Sequence, residues 1–556
     1  MIDRKMILYV LLAFLGFTLW SNWLKEHPAT PPEIANTATT NPSSGNNIPS
    51  VPTSQTQPGS LVAAAPANRT IQVRTDVLNV TIDTLGGNIV QANLQRYPVS
   101  SENPHQAVQL LNQAANTFYV AESGLITAQN NNQTSQQPLQ FNAPQSSYRL
   151  VPGENKLIVS LTSQDNKGLS ITKNFVFYKG QYAIEVNYVI VNHSNTAWQG
   201  NLYSQIRRKP QPGGGIFVFH TFSGAAISSP EQPYQKFSFE KLADRPLNKT
   251  ITGGWLAMQQ RYFISVWIPN QHEINHYYSS TDANGIATLG VTTPTLIAQP
   301  GQQVTAGAKF YVGPEVTDYL KPLAPGLDLT IDYGWLWFFS LAIFWLMKHV
   351  YQIVGNWGWA IVIVTILIKL LFYKLSEISY RSMAKMRKLQ PQMVAIRERY
   401  ADDKQKMSQS VFELYRKEKV NPLGGCLPIV IQIPVFIALY YVLIESVELR
   451  QAPFILWIHD LSTKDPFYVL PILMGVSMYI QQKLNPEPPD PTQAKILMFM
   501  PIIMTVFFMA FPSGLVLYWL TNNCLSVLQQ WYIMRTVEAE GKNDKAKTKG
   551  KLRKKN

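Results

Sequence analysis

What most limits this 556-residue chain is the set of apolar stretches at residues 357–373, 427–444, 467–480, 496–511 and 515–533. Each comes near the length a helix needs to cross ~30 Å of hydrocarbon, with 467–480 the shortest. Another, 6–24, follows Arg4 and Lys5. It is long for the apolar part of a signal peptide, and no small-x-small cleavage pattern precedes Lys25, so it reads as an uncleaved anchor (1–27). The expectation is an α-helical polytopic membrane protein with six transmembrane helices.

Charge placement orients these helices. A net charge of +14 alone fits nucleic acid, anionic lipid or the ribosome. Residues 374–425, however, carry 12 Lys/Arg against 6 Asp/Glu, and 535–556 carry 9 against 3. Six spans put both basic segments and both termini in the cytoplasm, as the positive-inside rule requires. The apolar run 335–347, 13 residues with Trp335, Trp337 and Trp345, would upset that parity if it crossed. It is therefore read as a helix lying in the interface, within 329–356.

Between the first two spans, residues 28–68 are rich in Pro, Ser, Thr and Asn without a hydrophobic period, which predicts a disordered linker. From 69 to 328 the pattern alternates with period two. It is clearest in Ile171, Lys173, Phe175 and Phe177, the Lys179-Gly180 turn, then Tyr182, Ile184, Val186 and Tyr188. Leu78, Val80 and Ile82 before Gly86-Gly87 predict a second hairpin. The implied fold is a large antiparallel β-sandwich on the periplasmic side. Cys426 and Cys524 both lie in or beside apolar stretches, so disulfides do not staple this domain.

One metal motif occurs. His272-Glu273-Ile274-Asn275-His276 matches HExxH, whose chemistry needs a helix to align both imidazoles and a third ligand nearby. Pro269-Asn270 before it and Tyr277-Tyr278 after it favour a polar loop between strands, so no metal or cofactor is expected.

Inside the second span Lys369 is the only charge, about 6 Å from the cytoplasmic end by helical rise. A central lysine costs about 2.5–3.5 kcal/mol to bury, and near an end it can snorkel. Thr365, at i−4, puts a second polar group on the same face. Tyr518, Asn522 and Gln529 form a stripe along the last span, and Gln432 adds an amide to the third. With no acidic partner in these spans, Lys369 predicts a water-filled groove open to the cytoplasm; the alternative for the amides is pairing between helices.

In the basic segment, Met383, Met386, Leu389, Met393, Ile396 and Tyr400 recur at helical spacing. Asp402-Asp403 mark a turn, and Met407, Val411 and Leu414 begin a second stripe, predicting a cytoplasmic helical hairpin at 375–420. Its methionine stripe suits partner docking and self-packing equally. The tail 535–556 suits a disordered basic arm on RNA or anionic lipid.

Several longer stretches resemble the YidC family, the bacterial relatives of the mitochondrial and chloroplast insertases. They are GGWLAMQQRYF (253–263), DYGWLW (332–337), SMAKMRKLQP (382–391), NPLGGCLP (421–428), VELRQAPF (447–454), LWIHDLS (456–462) and FPSGLVLYW (511–519). The likeness is dense from 253 to about 535 and thin in the earlier β region. It implies a bacterial inner-membrane insertase and chaperone, not an enzyme, whose core of five helices (357–534) surrounds a hydrophilic groove. By the resemblance Lys369, Thr365, Gln432, Tyr518 and Trp519 line that groove, to which the polar stripe adds Asn522, while Phe436, Met474 and Phe507 lie along the client's path. At the position of Lys369 the family generally carries arginine, so this chain keeps the charge and loses the guanidinium fork. The implied partners are new membrane proteins, the ribosome, the Sec translocon, the signal recognition particle receptor and membrane lipids, without DNA. A transporter or channel is the rival reading of intramembrane polar groups, although no internal repeat is visible.

Overall fold

A computed structural model describes residues 69–553, except 129–133, 136–137, 166–167, 212–221, 401–402, 419, 421–426 and 486–490. The anchor and linker expected at 1–68 lie outside the described residues. The chain divides into a β unit, Asn47–Gly334 with Ile444–Gln451, and a helical unit, Trp335–Leu443 with Ala452–Asn556.

Two sheets make the β unit, one of 12 strands and one of 8. The predicted hairpin pairs Leu169–Tyr178 with Ala183–Asn192, Phe175 opposite Val186, in the smaller sheet. Leu78–Asp83 and Asn88–Pro98 form the second, turning through Gly86 and Gly87 at φ 81° and 61°, where a side chain would be strained. The sheets meet face to face, as an aligned sandwich requires. Tyr119 of the larger donates to the Met258 carbonyl at 3.0 Å, and Trp267 of the smaller donates to the Gln205 carbonyl at 3.1 Å. Among the described residues strand pairing is antiparallel but for one edge, where Thr70–Arg74 and Ser147–Arg149 run parallel. That edge departs from the antiparallel expectation.

The alternation of the first hairpin buries a charge. Lys173 is fully buried, and its Nζ donates to the carbonyls of Ser123 (2.9 Å) and Gly86 (3.1 Å) across the sandwich. Burial pushes its pKa well below the ordinary lysine value. The two carbonyls satisfy the amine's donors, as a buried polar group demands. The HExxH stretch forms a turn running into strand Ile274–Thr281, with His276 opposite Thr292 and not on a helix.

The helical unit contains α1 (Trp337–Val354), α2 (Trp357–Leu371), α3 (Tyr373–Arg399), α4 (Lys404–Lys417), α5 (Leu427–Glu445), α6 (Val469–Leu484), α7 (Pro491–Phe508) and α8 (Ser513–Arg553). Helices α2 and α5 to α8 overlap the apolar stretches 357–373, 427–444, 467–480, 496–511 and 515–533, with α8 running on to Arg553. By length and hydropathy, among the described residues, only Gly334–Val354 passes as a single crossing helix, at 21 residues and mean hydropathy 1.3. That is longer than the 13-residue run seen in the sequence, because His349 to Val354 continue the helix to Gly355, a left-handed cap. Helices α2 and α3 pass the same test jointly across a bend of 70°. Ser340, Ile343, Phe344, Met347 and Val350 bury one face of α1, while Trp337 and Trp345 stay exposed on the other.

Helix α2 starts at Asn356, whose side chain accepts from Trp359 N at 3.1 Å, satisfying an orphan donor of the first turn. Asp403 caps α4 in the same way. The tail departs from expectation: α8 continues to Arg553 instead of giving way to a disordered arm. No proline interrupts 535–553, and Glu, Ala, Lys and Arg are good helix formers.

Candidate functional site

Lys369 lies in the last turn of α2, facing α8, where its Nζ donates to Ser526 Oγ at 2.7 Å. Ser526 in turn donates to the Asn522 carbonyl at 2.7 Å, so the lysine caps a side chain already tied to its own helix. One turn before, Thr365 is buried and bonds back to the Ile361 carbonyl at 2.6 Å. Gln432 of α5 reaches Tyr518 of α8 at 3.5 Å, the outer limit of a hydrogen bond.

These groups line two adjoining cavities. The first, about 30 Å³, is bounded by Thr365, Lys369, Gln432, Tyr518 and Asn522 together with Ser376 of α3. The second, about 250 Å³, shares Gln432 and Asn522 and extends past Trp519 and Ser526 to Gln481 and Gln482 of α6 and to Asn485 just after it. A polar cavity holds water once it exceeds ~10–15 Å³ and offers two to four partners, and both spaces meet that condition. Trp519 lines the larger cavity, and its Nε1 is buried without a partner among the described residues.

All six expected groove residues therefore line one cavity or the other. The three placed on the client path divide. Phe436 lines the larger cavity and packs edge-on against Trp519, ring centres 4.9 Å apart. Met474 is fully buried and Phe507 is exposed, and neither borders either cavity. Met474 sits on the inward face of α6, next to Gly475, whose missing side chain makes room for Thr505 of α7.

Ser526, Asn523, Ser477, Gln530 and Tyr380 were not picked out in the sequence. Asn523 donates to Ser477 Oγ at 3.3 Å and Gln530 to Asn485 Oδ1 at 3.0 Å, joining α8 to α6. Ser526 follows Asn522 by four, continuing the Tyr518–Asn522 stripe, so the signal existed. Gln529, on the same stripe by spacing, donates to the Tyr373 carbonyl at 3.3 Å.

Helices α3 and α4 form the expected hairpin. Met386 and Leu389 are buried with Val420, packed by Met383, Leu414 and Tyr415, and Met393 is buried and accepts from Tyr415 at 3.6 Å. Of the two uses open to this stripe, the fold takes self-packing. Met386, Leu389 and Met393 are buried in that seam, while Met383 is only partly buried beside it. On its other side α3 packs Tyr380 and Ala384 against Ile533, Met534 and Val537 of α8.

A family model described as the YidC periplasmic domain matches residues 70–346, and one described as the 60Kd inner membrane protein matches 349–540. The membrane protein insertase YidC of Legionella pneumophila strain Corby is 50% identical over 546 residues, 97% of this chain and 98% of its own. This chain belongs to the YidC family of membrane protein insertases. The YidC of Coxiella burnetii strain Dugway 5J108-111 is 47% identical over 569 residues, covering 99% of this chain and 98% of its own. The crystal structure of an active YidC insertase with its first transmembrane domain resolved covers 85% of this chain and 94% of its own at 18% identity and a TM-score of 0.39, too low to add to the YidC assignment.

Proposed function

We propose that this chain inserts membrane proteins into the bacterial inner membrane through the polar cavities between α2, α5, α6 and α8. The observation that carries the reading is a lysine held by a neutral serine among amides and hydroxyls, inside helices that are otherwise apolar. A client's short polar tail enters these hydrated cavities from the cytoplasm and its apolar segment passes between the third and fifth spans into lipid. Phe436 is the side chain best placed to meet that segment, with Phe507 further along its path. Burial of about twenty apolar residues drives the step, and hydration of the tail lowers its barrier, so no nucleotide enters.

In this reading six spans cross, counting residues 6–24, both termini are cytoplasmic and α1 lies in the outer interface. The basic hairpin and tail meet the ribosome and the signal recognition particle receptor by charge, and the Sec translocon shares some clients. The experiment is reconstitution of the pure protein in liposomes with a single-span client bearing a short tail. Protection of the tail from external protease is expected, and protection no greater than in lipid alone rejects autonomous insertion.

A further inference from the structure

The parallel edge of the β unit sets two like charges side by side. Arg74 stands in register with Arg149 across that pair, and residues in register on neighbouring strands share a face. Like charges so placed repel and weaken a sheet unless something compensates them. Among the described residues no carboxylate pairs with either guanidinium or with the nearby Lys179. Asp76, on the same rim, is already committed, accepting from Arg96 at 2.8 Å and from Gly180 N at 2.9 Å.

All three cations line a cavity of about 430 Å³. Its far wall is the loop Leu150, Val151, Pro152, Gly153 and Glu154. Gly153 and Gly180 hold φ of 99° and 73°, and a side chain on either would meet open space, so the opening is unobstructed. Glu154 is the one lining carboxylate not so committed. Three free cations against one carboxylate leave a net +2 around a space the size of a small-molecule site. Val151, 54% exposed, and Pro152 give that space an apolar side.

We propose that this cavity binds a phosphate ester. The two arginines fork onto the phosphate oxygens, which arginine matches bidentately, Lys179 closes the third side, and the Val151–Pro152 wall packs the organic part. The repulsion across the strand pair is then the free-state cost of a preorganised site. The same chemistry is offered by a soluble phosphate ester and by the headgroup of an anionic phospholipid.

The test uses the full chain and follows unfolding of the β unit through its buried Trp255 and Trp267. Added sn-glycerol 3-phosphate should raise the midpoint above that in chloride at equal ionic strength, or nanodiscs of phosphatidylglycerol should raise it above that in phosphatidylcholine. The first result assigns a soluble ester and the second a headgroup. Arg74→Gln and Arg149→Gln should each weaken binding about tenfold or more, as loss of a bidentate charged contact does. Without ligand, each variant should unfold at or above the wild-type midpoint, since repulsion is relieved. No shift with either probe, an equal shift in the variants, or ligand-free variants that melt below wild type would overturn the proposal.

Discussion

Among the described residues the direct partner of Lys369 is the neutral hydroxyl of Ser526, so the positive charge remains available to whatever enters the cavity. An acidic group ~10 Å away at an effective dielectric of ~20 interacts with it by about 1.7 kcal/mol. Lys369→Glu reverses the sign and should slow insertion of clients with acidic tails on the order of tenfold or more relative to neutral ones. Lys369→Arg should retain both. Equal loss for the two client types would mean that the charge does not act on the tail. In the β unit, Glu315 is 4% exposed and accepts from Gln259 at 2.9 Å. Burial raises its pKa well above 4.5, with the Gln259 hydrogen bond opposing. The folded state thus keeps a proton that the unfolded chain releases above about pH 4.3. Its stabilisation is complete below that pH and is lost as pH climbs through the raised value. The denaturation midpoint of the β unit should fall as pH rises above about 4.5. Glu315→Gln should flatten this part of the profile, and an unchanged profile in the variant would exclude Glu315 as its source.

The elements divide by whether their signal is local. The positions of the apolar helices and the 171–188 hairpin could be read from the chain because apolar run length and period-two alternation are properties of adjacent residues. Lys369 and its polar face were equally visible, since Thr365 is one turn away. Its partner Ser526 was not, being 157 residues distant and one of several hydroxyls in its helix. The parallel strand edge was hidden for the same reason. The methionine stripe of α3 was visible, but what covers it depends on where α4 folds back. That packing is open to test. Leu389→Asp places a carboxylate against Val420 and should destabilise the hairpin by roughly 2–4 kcal/mol. Trypsin should then cut faster after Arg397 and Arg399, and unaltered cleavage would show that the α3–α4 seam does not hold the hairpin closed. Between α6 and α7, Gly475→Leu drives a side chain into Thr505 and should lower the thermal midpoint by an amount equivalent to about 1–3 kcal/mol.

For the whole molecule the decisive issue is parity, and α1 is where it turns. Gly334–Val354 is long and apolar enough to cross, yet it precedes α2, which leads into a segment with 12 Lys/Arg against 6 Asp/Glu. If α1 crossed, the β unit before it and the hairpin after α2 would share one side of the membrane. If it lies in the interface, they are on opposite sides and the basic hairpin is cytoplasmic. With Cys426 and Cys524 replaced by serine, a single cysteine at an exposed site reports each side: Ser101→Cys in the β unit and Ser408→Cys in α4. An impermeant maleimide applied to spheroplasts should label the first and spare the second until the membrane is opened. Labelling of both from outside would make α1 a span and place the hairpin beyond the reach of the ribosome. The polar cavities would then open away from the cytoplasm, and clients could not enter them as proposed. A single accessibility measurement therefore tests the topology and the direction of insertion together, because the orientation of α2 fixes which side Lys369 faces.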